Sequence, residues 1–588
     1  MFPRTRSTRE SYTGCSRSEV SVSVRKHEPT RSLWPPLSLA AILALAAGMA
    51  FAQLPPPPAA KPSASSAQAP PPAAPALRIT TRLVQVGVVV HDKNGPVANL
   101  TKDDFTILDR GKPQPISVFS VTVTGAVAAP AVGPLPQNTF SDLPMYNPAA
   151  PGSITIVLLD NLNTLYGSAP GAYEETPLWM EDHALSNAKA HLLEYLKHLD
   201  AQDRVAIYGL SDTLHVLCDF TSDRERLLAI VRDYDARSRT SRETVEPAAT
   251  HTPVPGPEFN GSVDAQRMEL AGMVNASRAG TTMAALRAIA DHVAHIPGRK
   301  NLVWLTANLP FSAKVIAALL SPAQIAAYPV DGRGLLPRSL LADGGTGSVN
   351  ADVLNHGAGP QSMQTMEPVG ISTMREVAEL TGGEAFVNNN DLTGAIREAV
   401  NDASVLYTLG FYINAASADG KFHELKVTVR PAGLNVRYPK GFLAFRDAPS
   451  TRDEVHANWV TALLSPIESS AVPMQVTIER VTSAPNSLRI FAAIDVGVLR
   501  LTQNGNVRQG ALNVRIFQQD LAGKILSQSA DHLALRLAPK QYLAALHSGV
   551  HFEKIVESNG SAVTLRIVVQ DPVTAMVGSL IIPLREIK

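Results

Sequence analysis

The sequence predicts a multidomain protein in which a central α/β domain with a doubly wound parallel sheet is flanked by small all-β domains. Three observations support this prediction. Between residues 153 and 446, apolar runs without polar alternation alternate with amphipathic helical stripes. Strand-like segments joined by turn residues precede this region. More of them follow it, as far as residue 588.

The composition excludes several classes of protein. Of the 588 residues, 45% are hydrophobic, so the chain can bury more than one core. Lys and Arg together number 52, as do Asp and Glu, and no clustering of basic residues indicates a nucleic-acid partner. The two cysteines, Cys15 and Cys218, do not provide a disulfide framework or a zinc-ligand spacing.

Residues 1–52 are interpreted as a signal peptide. Basic residues precede an apolar run over 37–51, which ends in Ala50-Phe51-Ala52, the pattern of an export signal cleaved before Gln53. The alternative is an uncleaved membrane anchor. With cleavage, no transmembrane span is expected to remain. The mature protein would then be exported to the periplasm, the outer surface or the medium.

Four further segments are predicted from composition and turn signals. Residues 53–77 are a Pro/Ala-rich linker, which we expect to be extended. Residues 78–125 form a small β module of structural role, with a turn at Asn94-Gly95. Residues 126–152 form a second linker, rich in Pro and Ala. Residues 452–588, with strands at regular spacing, predict a β-sandwich-like domain.

The central domain is predicted over residues 153–446, and a fragment of residues 150–446 is expected to fold independently. Its predicted strands cover 154–160, 204–210, 214–220, 301–305, 325–330, 384–387 and 407–413, followed by a hairpin of 422–429 and 434–438. Its predicted helices cover 182–199, 222–234, 281–296, 373–382 and 391–400, with a loop-rich insertion over 237–275. Repetition of strand and helix predicts a parallel sheet with helices on both faces.

Four segments resemble a known family. They are residues 297–305, 328–331, 407–412 and 419–422, and they are similar to the von Willebrand factor A-related domain abundant in Acidobacteria. The resemblance covers most of residues 80–445. It implies the fold and an exported location, and it identifies no reaction and no binding partner.

The candidate site follows the first strand of the central domain. Asp160-Asn161-Leu162-Asn163-Thr164 comes at the carboxyl end of that strand, the edge at which α/β sheets bind ligands. The resemblance implies a Mg²⁺ site there, to which an Asp-x-Ser-x-Ser loop contributes. Asp160 matches that loop and Thr164 substitutes for a serine, whereas Leu162 offers no oxygen. Thr281 or Thr282 would supply a more distant hydroxyl.

The second carboxylate of such a site is missing. Ala307 takes its place within Thr306-Ala307-Asn308, so the predicted metal site is degenerate. Asn161, Asn163 and Asn308 would be neutral ligands to Mg²⁺ or Mn²⁺, but one carboxylate holds a dication weakly. The alternative is that Asp160 and the asparagines cap the turn and the following helix.

The predicted function is non-enzymatic. The sequence contains no His-Glu-x-x-His, P-loop or Gly-x-Ser-x-Gly motif, and no Gly-x-Gly-x-x-Gly behind a strand. We therefore expect an exported interaction or adhesion protein that binds a protein or surface polymer through the degenerate site. The alternative is a structural component of the cell envelope with a vestigial site. A metal-dependent hydrolase is a remote alternative.

Overall fold

The structure is a computed structural model of the 588-residue chain. It describes residues 23–24, 82–123, 135–143, 154–164, 178–200, 203–234, 260–296, 298–309, 311–333, 370–389, 391–401, 404–414, 417–444 and 449–587. The predicted signal peptide, apart from residues 23–24, and the linker predicted over 53–77 lie outside these residues. None of the described helices is both long enough and apolar enough to cross a membrane.

The strands are, in chain order, β1 (Ser23–Val24), β2 (Arg82–Asp92), β3 (Gly95–Pro96), β4 (Phe105–Asp109), β5 (Lys112–Gln114), β6 (Val118–Val123), β7 (Thr139–Ser141), β8 (Ile154–Asp160), β9 (Arg204–Leu210), β10 (Leu214–Thr221), β11 (Lys300–Thr306), β12 (Ile325–Asp331), β13 (Val405–Ile413), β14 (Phe422–Val429), β15 (Asn435–Arg437), β16 (Gly441–Leu443), β17 (Met474–Val481), β18 (Ala484–Ile494), β19 (Thr502–Asn504), β20 (Val507–Gln519), β21 (Ile525–Leu537), β22 (Val550–Glu557), β23 (Thr564–Gln570) and β24 (Val577–Pro583). The α-helices are α1 (Asn161–Thr164), α2 (Leu178–Leu196), α3 (Arg224–Asp233), α4 (Asn260–His292), α5 (Ala313–Leu320), α6 (Ile371–Thr381), α7 (Leu392–Asn401), α8 (Arg452–Leu464) and α9 (Pro539–Ser548).

The central sheet has the strand order β10-β9-β8-β11-β12. Strands β9, β8, β11 and β12 are parallel, and β10 is antiparallel to β9. Every residue of β8, β11 and β12 is buried, which explains why their sequences show no polar alternation. Because the four parallel strands point the same way, their carboxyl ends Asp160, Leu210, Thr306 and Asp331 lie at one edge.

Helices cover both faces of this sheet. Ile156 and Leu158 of β8 pack in a core with residues of α4, α5 and α6. Val157 and Leu159 belong to a second core with residues of α2, α3 and α7. Alternate residues of one strand point to opposite faces, so the unbroken apolar run of β8 supplies both cores.

The strands after the central sheet belong to another unit. β13 lies between β2 and β6, β14 pairs with β4, and β15 pairs with β2. The sheets β15-β2-β13-β6 and β16-β14-β4-β5 enclose one core, which contains Val88, Ile107 and Phe411. The structure therefore differs from the predicted division into 78–125 and 153–446. Residues 405–443 complete the first β module, because its apolar faces need further strands to cover them.

The hairpin predicted from 422–429 and 434–438 does not form. β14 and β15 lie in the two different sheets of this unit, which we call the N-terminal sandwich (β2–β6 and β13–β16). The α/β domain is inserted in the chain between β6 and β13.

Residues 474–583, together with β1 from the predicted signal peptide and β7, form a second antiparallel sandwich. Its sheets have the orders β1-β21-β20-β23-β24, with β19 beside β20, and β22-β18-β17-β7. They share a core that contains Ile490, Leu512 and Ile567. β7 comes from the region predicted as the linker 126–152, and Phe140 in it pairs with Val476. Part of that linker is therefore a strand of the C-terminal sandwich.

Helix α4 is longer than predicted. It begins at Asn260 and has 33 residues, whereas the sequence predicted a helix over 281–296 after a loop-rich insertion. Residues 260–280 contain no proline, so nothing in them removes a helical hydrogen bond. The extension matters because it carries Arg278 to the carboxyl edge of the central sheet.

Candidate functional site

Asp160, the last residue of β8, is held by three hydrogen bonds. Its Oδ1 accepts the backbone N–H of Asn163 at 2.9 Å. Its Oδ2 accepts Nδ2 of Asn163 and Nε1 of Trp304, each at 2.8 Å. The carboxylate is 1% exposed. Asp160 thus closes the turn into α1 through side-chain-to-backbone bonding, as the alternative reading of the sequence described.

Helix α4 completes this network from the other side. Nδ2 of Asn163 also donates to Oγ1 of Thr282 at 2.9 Å, and that hydroxyl donates to the carbonyl of Arg278 at 2.9 Å. Nη2 of Arg278 donates to Oδ1 of Asn163 at 3.3 Å. Arg278 and Thr282 are four residues apart and therefore face the same way along the helix. Both are buried.

The electrostatics of Asp160 reflect two opposed effects. Burial raises the pKa of its carboxyl group, since water no longer solvates the charged form. The hydrogen bonds from Asn163 and Trp304 and the positive charge of Arg278 act in the opposite direction. The ionised form of Asp160 therefore depends on these neighbours.

A second carboxylate at the same edge is paired independently. Asp331 ends β12 and is 1% exposed. Arg333 binds it with Nε to Oδ1 and Nη2 to Oδ2, both at 2.8 Å, and its backbone N–H donates to Oδ1 at 3.0 Å. This is the bidentate geometry in which Arg and a carboxylate bind most strongly.

The structure brings together some of the predicted site residues. Asn163 lies against Asp160, and the neighbouring Asn161 is buried, with its Nδ2 2.6 Å from the hydroxyl of Tyr234. Thr282, rather than Thr281, contacts the loop. Thr164 ends α1, and its side chain lies outside the described residues.

Asn308 has a separate environment. It follows β11, and its Oδ1 lies against Gly370, where a Cβ would approach to 2.8 Å. Gly370 also has a φ of +92°, so both the close approach of Asn308 and the left-handed backbone conformation favour glycine at this position.

Comparisons with known proteins identify no family. No protein-family model matches the chain, and no curated protein matches it. One solved structure with similarity is an aerotolerance-related membrane protein from Bacteroides fragilis, with 13% identity and a TM-score of 0.22. The similarity covers 42% of this chain and 99% of that one. Another is BatB from Bacteroides thetaiotaomicron, with 14% identity, a TM-score of 0.23 and coverage of 43% and 99%. These TM-scores are too low to carry an argument about function.

The residues present do not fit a divalent cation. Leu162 packs against the hydrophobic core and Ala307 has no donor atom, so neither supplies a ligand. Asn163 turns its N–H group, not its oxygen, toward Asp160. Arg278 adds a positive charge beside the loop. At ~5 Å and an effective dielectric constant of ~20, a dication and a monocation repel each other by about 7 kcal/mol.

Sequence reasoning missed four residues at this edge: Tyr234, Arg278, Trp304 and Arg333. Two of them left a signal. A tryptophan in a fully buried strand needs an acceptor for its N–H, and the nearest strand end offered Asp160. Arg333 follows Asp331 by two residues, close enough for a local ion pair. Tyr234 and Arg278 contact the loop through tertiary structure, which the local sequence pattern does not indicate.

Proposed function

We propose that this chain is a non-enzymatic interaction protein of the exported or envelope compartment, which binds a protein or surface polymer without a metal ion. One observation carries the proposal. The two carboxylates at the carboxyl edge, where an α/β sheet would hold a substrate, are buried and hydrogen-bonded to neighbouring side chains.

This arrangement is poorly suited to catalysis. A general acid or base must come within hydrogen-bonding distance of the proton that it transfers. Asp160 and Asp331 are each 1% exposed and are bonded to Trp304 and Arg333 respectively. Among the described residues, no three His, Cys, Asp or Glu side chains converge as a metal site. We propose that a ligand binds at exposed surface, away from these two buried carboxylates.

A specific observation favours a second candidate, a structural component of the envelope. Hydrogen bonds join the α/β domain to both sandwiches. Ser470, ahead of the C-terminal sandwich, donates through Oγ to the carbonyl of His292 at the end of α4, at 2.8 Å. Arg437 of the N-terminal sandwich donates to Glu398 of α7 at 2.7 Å. Such fastening suits a rigid spacer.

A binding experiment separates the two candidates. The mature chain is immobilised and incubated with envelope and secreted fractions, in EDTA and in Mg²⁺, and retained proteins are then purified and titrated individually. We expect a saturable partner whose affinity is the same in both buffers, with heat-unfolded chain as the control. Failure of every retained protein or polymer to bind saturably would favour the structural role. Loss of binding in EDTA, or turnover of the ligand, would contradict the proposal.

Export is tested separately. Amino-terminal sequencing of the protein from the culture should give Gln53 or a neighbouring residue. Recovery of the intact chain from the cytoplasm would contradict the proposed location.

A further inference from the structure

Two carboxylates at the carboxyl edge of the central sheet each have a guanidinium group from the same chain. Asp331 has Arg333 in direct bidentate contact. Asp160 has Arg278, whose charge acts on it across the amide of Asn163. The carboxyl groups at the ends of β8 and β12 are thus each joined to one guanidinium group, Asp331 directly and Asp160 through the amide of Asn163.

We propose that Arg278 is the resident cation of this edge. Its guanidinium group neutralises Asp160 through Asn163 and takes the electrostatic role of a divalent ion. The loop 160–164 therefore holds its conformation without metal.

The orientation of Asn163 is the main geometric support. Its Oδ1 accepts from Arg278, while its Nδ2 donates to Asp160 and to Thr282. For Asn163 to be a ligand of a metal ion bound by Asp160, its amide oxygen would have to face the same point as the carboxylate. Here the amide is oriented the opposite way, as a relay between a cation and an anion. All four side chains are buried.

The position of Arg278 supports the same conclusion. It is 6% exposed, and burial of a guanidinium group without a counter-charge is costly. Helix α4 presents Thr282 one turn later, and that residue binds both Asn163 and the carbonyl of Arg278. The helix therefore fixes the cation and its relay together, as a rigid element is expected to do.

The assignment goes beyond the proposed function and does not depend on it, since it concerns the internal charge of the loop and not a partner.

A double-mutant cycle on the full mature chain in EDTA tests the assignment. The urea midpoint is measured for the unaltered chain, Arg278→Gln, Asp160→Asn and the double variant. We expect both single variants to lower the midpoint. The midpoint of the double variant should fall by clearly less than the sum of the two single decreases. Once one charged group has been removed, removal of the other no longer leaves a buried charge without its counterpart.

The matched control is Arg287→Gln, combined with Asp160→Asn. Arg287 is on the same helix with a side chain that is 44% exposed, and it contacts Asp291, so its loss should add independently. If Arg278→Gln does not fold, recovery of folding in the double variant is the supporting result. Arg278→Lys, which keeps the charge, should also fold.

Any of three results would overturn the assignment. The first is that Arg278→Gln and Asp160→Asn lower the midpoint as additively as the Arg287 control pair. The second, which applies if Arg278→Gln does not fold, is that the double variant does not fold either. The third is a rise in the midpoint of the unaltered chain with millimolar Mg²⁺ that Asp160→Asn abolishes. None of these results depends on whether a binding partner is found.

Discussion

Nδ1 of His423 lies 2.8 Å from Oδ1 of Asp109, although 314 positions separate the two residues in the chain. Both are buried, and they lie on the paired strands β14 and β4. Beside them, Nη1 of Arg110 contacts Oδ2 of Asp419 at 3.1 Å. The segments on either side of the inserted α/β domain are thus joined in the core and at the rim of one sandwich.

Removal of His423 should destabilise the N-terminal sandwich. In His423→Ala, the buried Asp109 loses its partner, and breaking a buried pair from one side costs about 3 kcal/mol. The cost appears as a lower urea midpoint of the full chain. The exposed His532→Ala, on the C-terminal sandwich, is the control and should change the midpoint little. Equal effects of the two substitutions would contradict the structural role of the Asp109–His423 contact.

The same contact predicts which fragments fold. Residues 82–444 should give a cooperative melt, since they contain every strand of the N-terminal sandwich. Residues 150–446 lack β2, β4 and β6, so β13 loses both of its neighbours and β14 keeps only β16. Limited proteolysis of this shorter fragment should cut within 405–443 while the central sheet survives. Protection of 405–443 in the shorter fragment would show that the sandwich is not needed.

These results show what the sequence alone made predictable. The runs that became β8, β11 and β12 were readable because strands buried on both faces carry no alternation. The sequence could not predict which sheet contains β13, because a local pattern identifies a strand but not the strands with which it pairs. At the site, Asp160 and Asn163 are neighbours in sequence and their contact was accessible. Arg278 was not, since its approach depends on the path of α4.

The junction of α4 with the C-terminal sandwich should depend on pH. Nδ1 of His292 lies 2.7 Å from the carbonyl of Glu468, and its Nε2 lies 3.4 Å from Oδ1 of Asp219. Burial alone lowers the pKa of His292, but the hydrogen bond and charge of Asp219, together with Glu468, outweigh it and raise the pKa. Burial also raises the pKa of Glu468 and of Asp142.

The direction follows from linkage. A histidine with a raised pKa contributes its full stability below the unfolded pKa of ~6.5 and loses it as the pH rises through the folded pKa. The carboxyls with raised pKa values act the same way, because the folded state holds more protons than the unfolded state. The advantage of the unaltered chain over His292→Gln should therefore shrink as the pH rises from ~6 to ~8. Urea midpoints at each pH measure it, with the exposed His198→Gln as control. An advantage that grows over this range would refute the assignment.

Lys300 should be a source of instability near neutral pH. Its side chain is buried, its Nζ donates to the carbonyl of Ile296 at 2.8 Å, and burial lowers its pKa to about 7. The unfolded state therefore binds more protons above pH ~7, and stability should rise with pH as far as ~10. Lys300→Met should stabilise the chain by about 1–3 kcal/mol at pH ~7, less at pH ~9. The exposed Lys197→Met is the control, and destabilisation by Lys300→Met at both pH values would contradict this account.

The last prediction concerns the creation of a metal site. A ligand that binds only the folded state at ~100 times its Kd stabilises it by about 2.7 kcal/mol, which is several degrees in Tm. The unaltered chain should show no such shift with millimolar Mg²⁺ or Mn²⁺, because Arg278 already supplies the positive charge. Leu162→Ser with Ala307→Asp adds two oxygen ligands but leaves that charge in place, so this pair of substitutions alone should also give no shift. Adding Arg278→Gln should produce one, and Asp160→Ala should then abolish it. A full shift in the two-substitution variant with Arg278 intact would show that the guanidinium group and the dication can occupy the edge together.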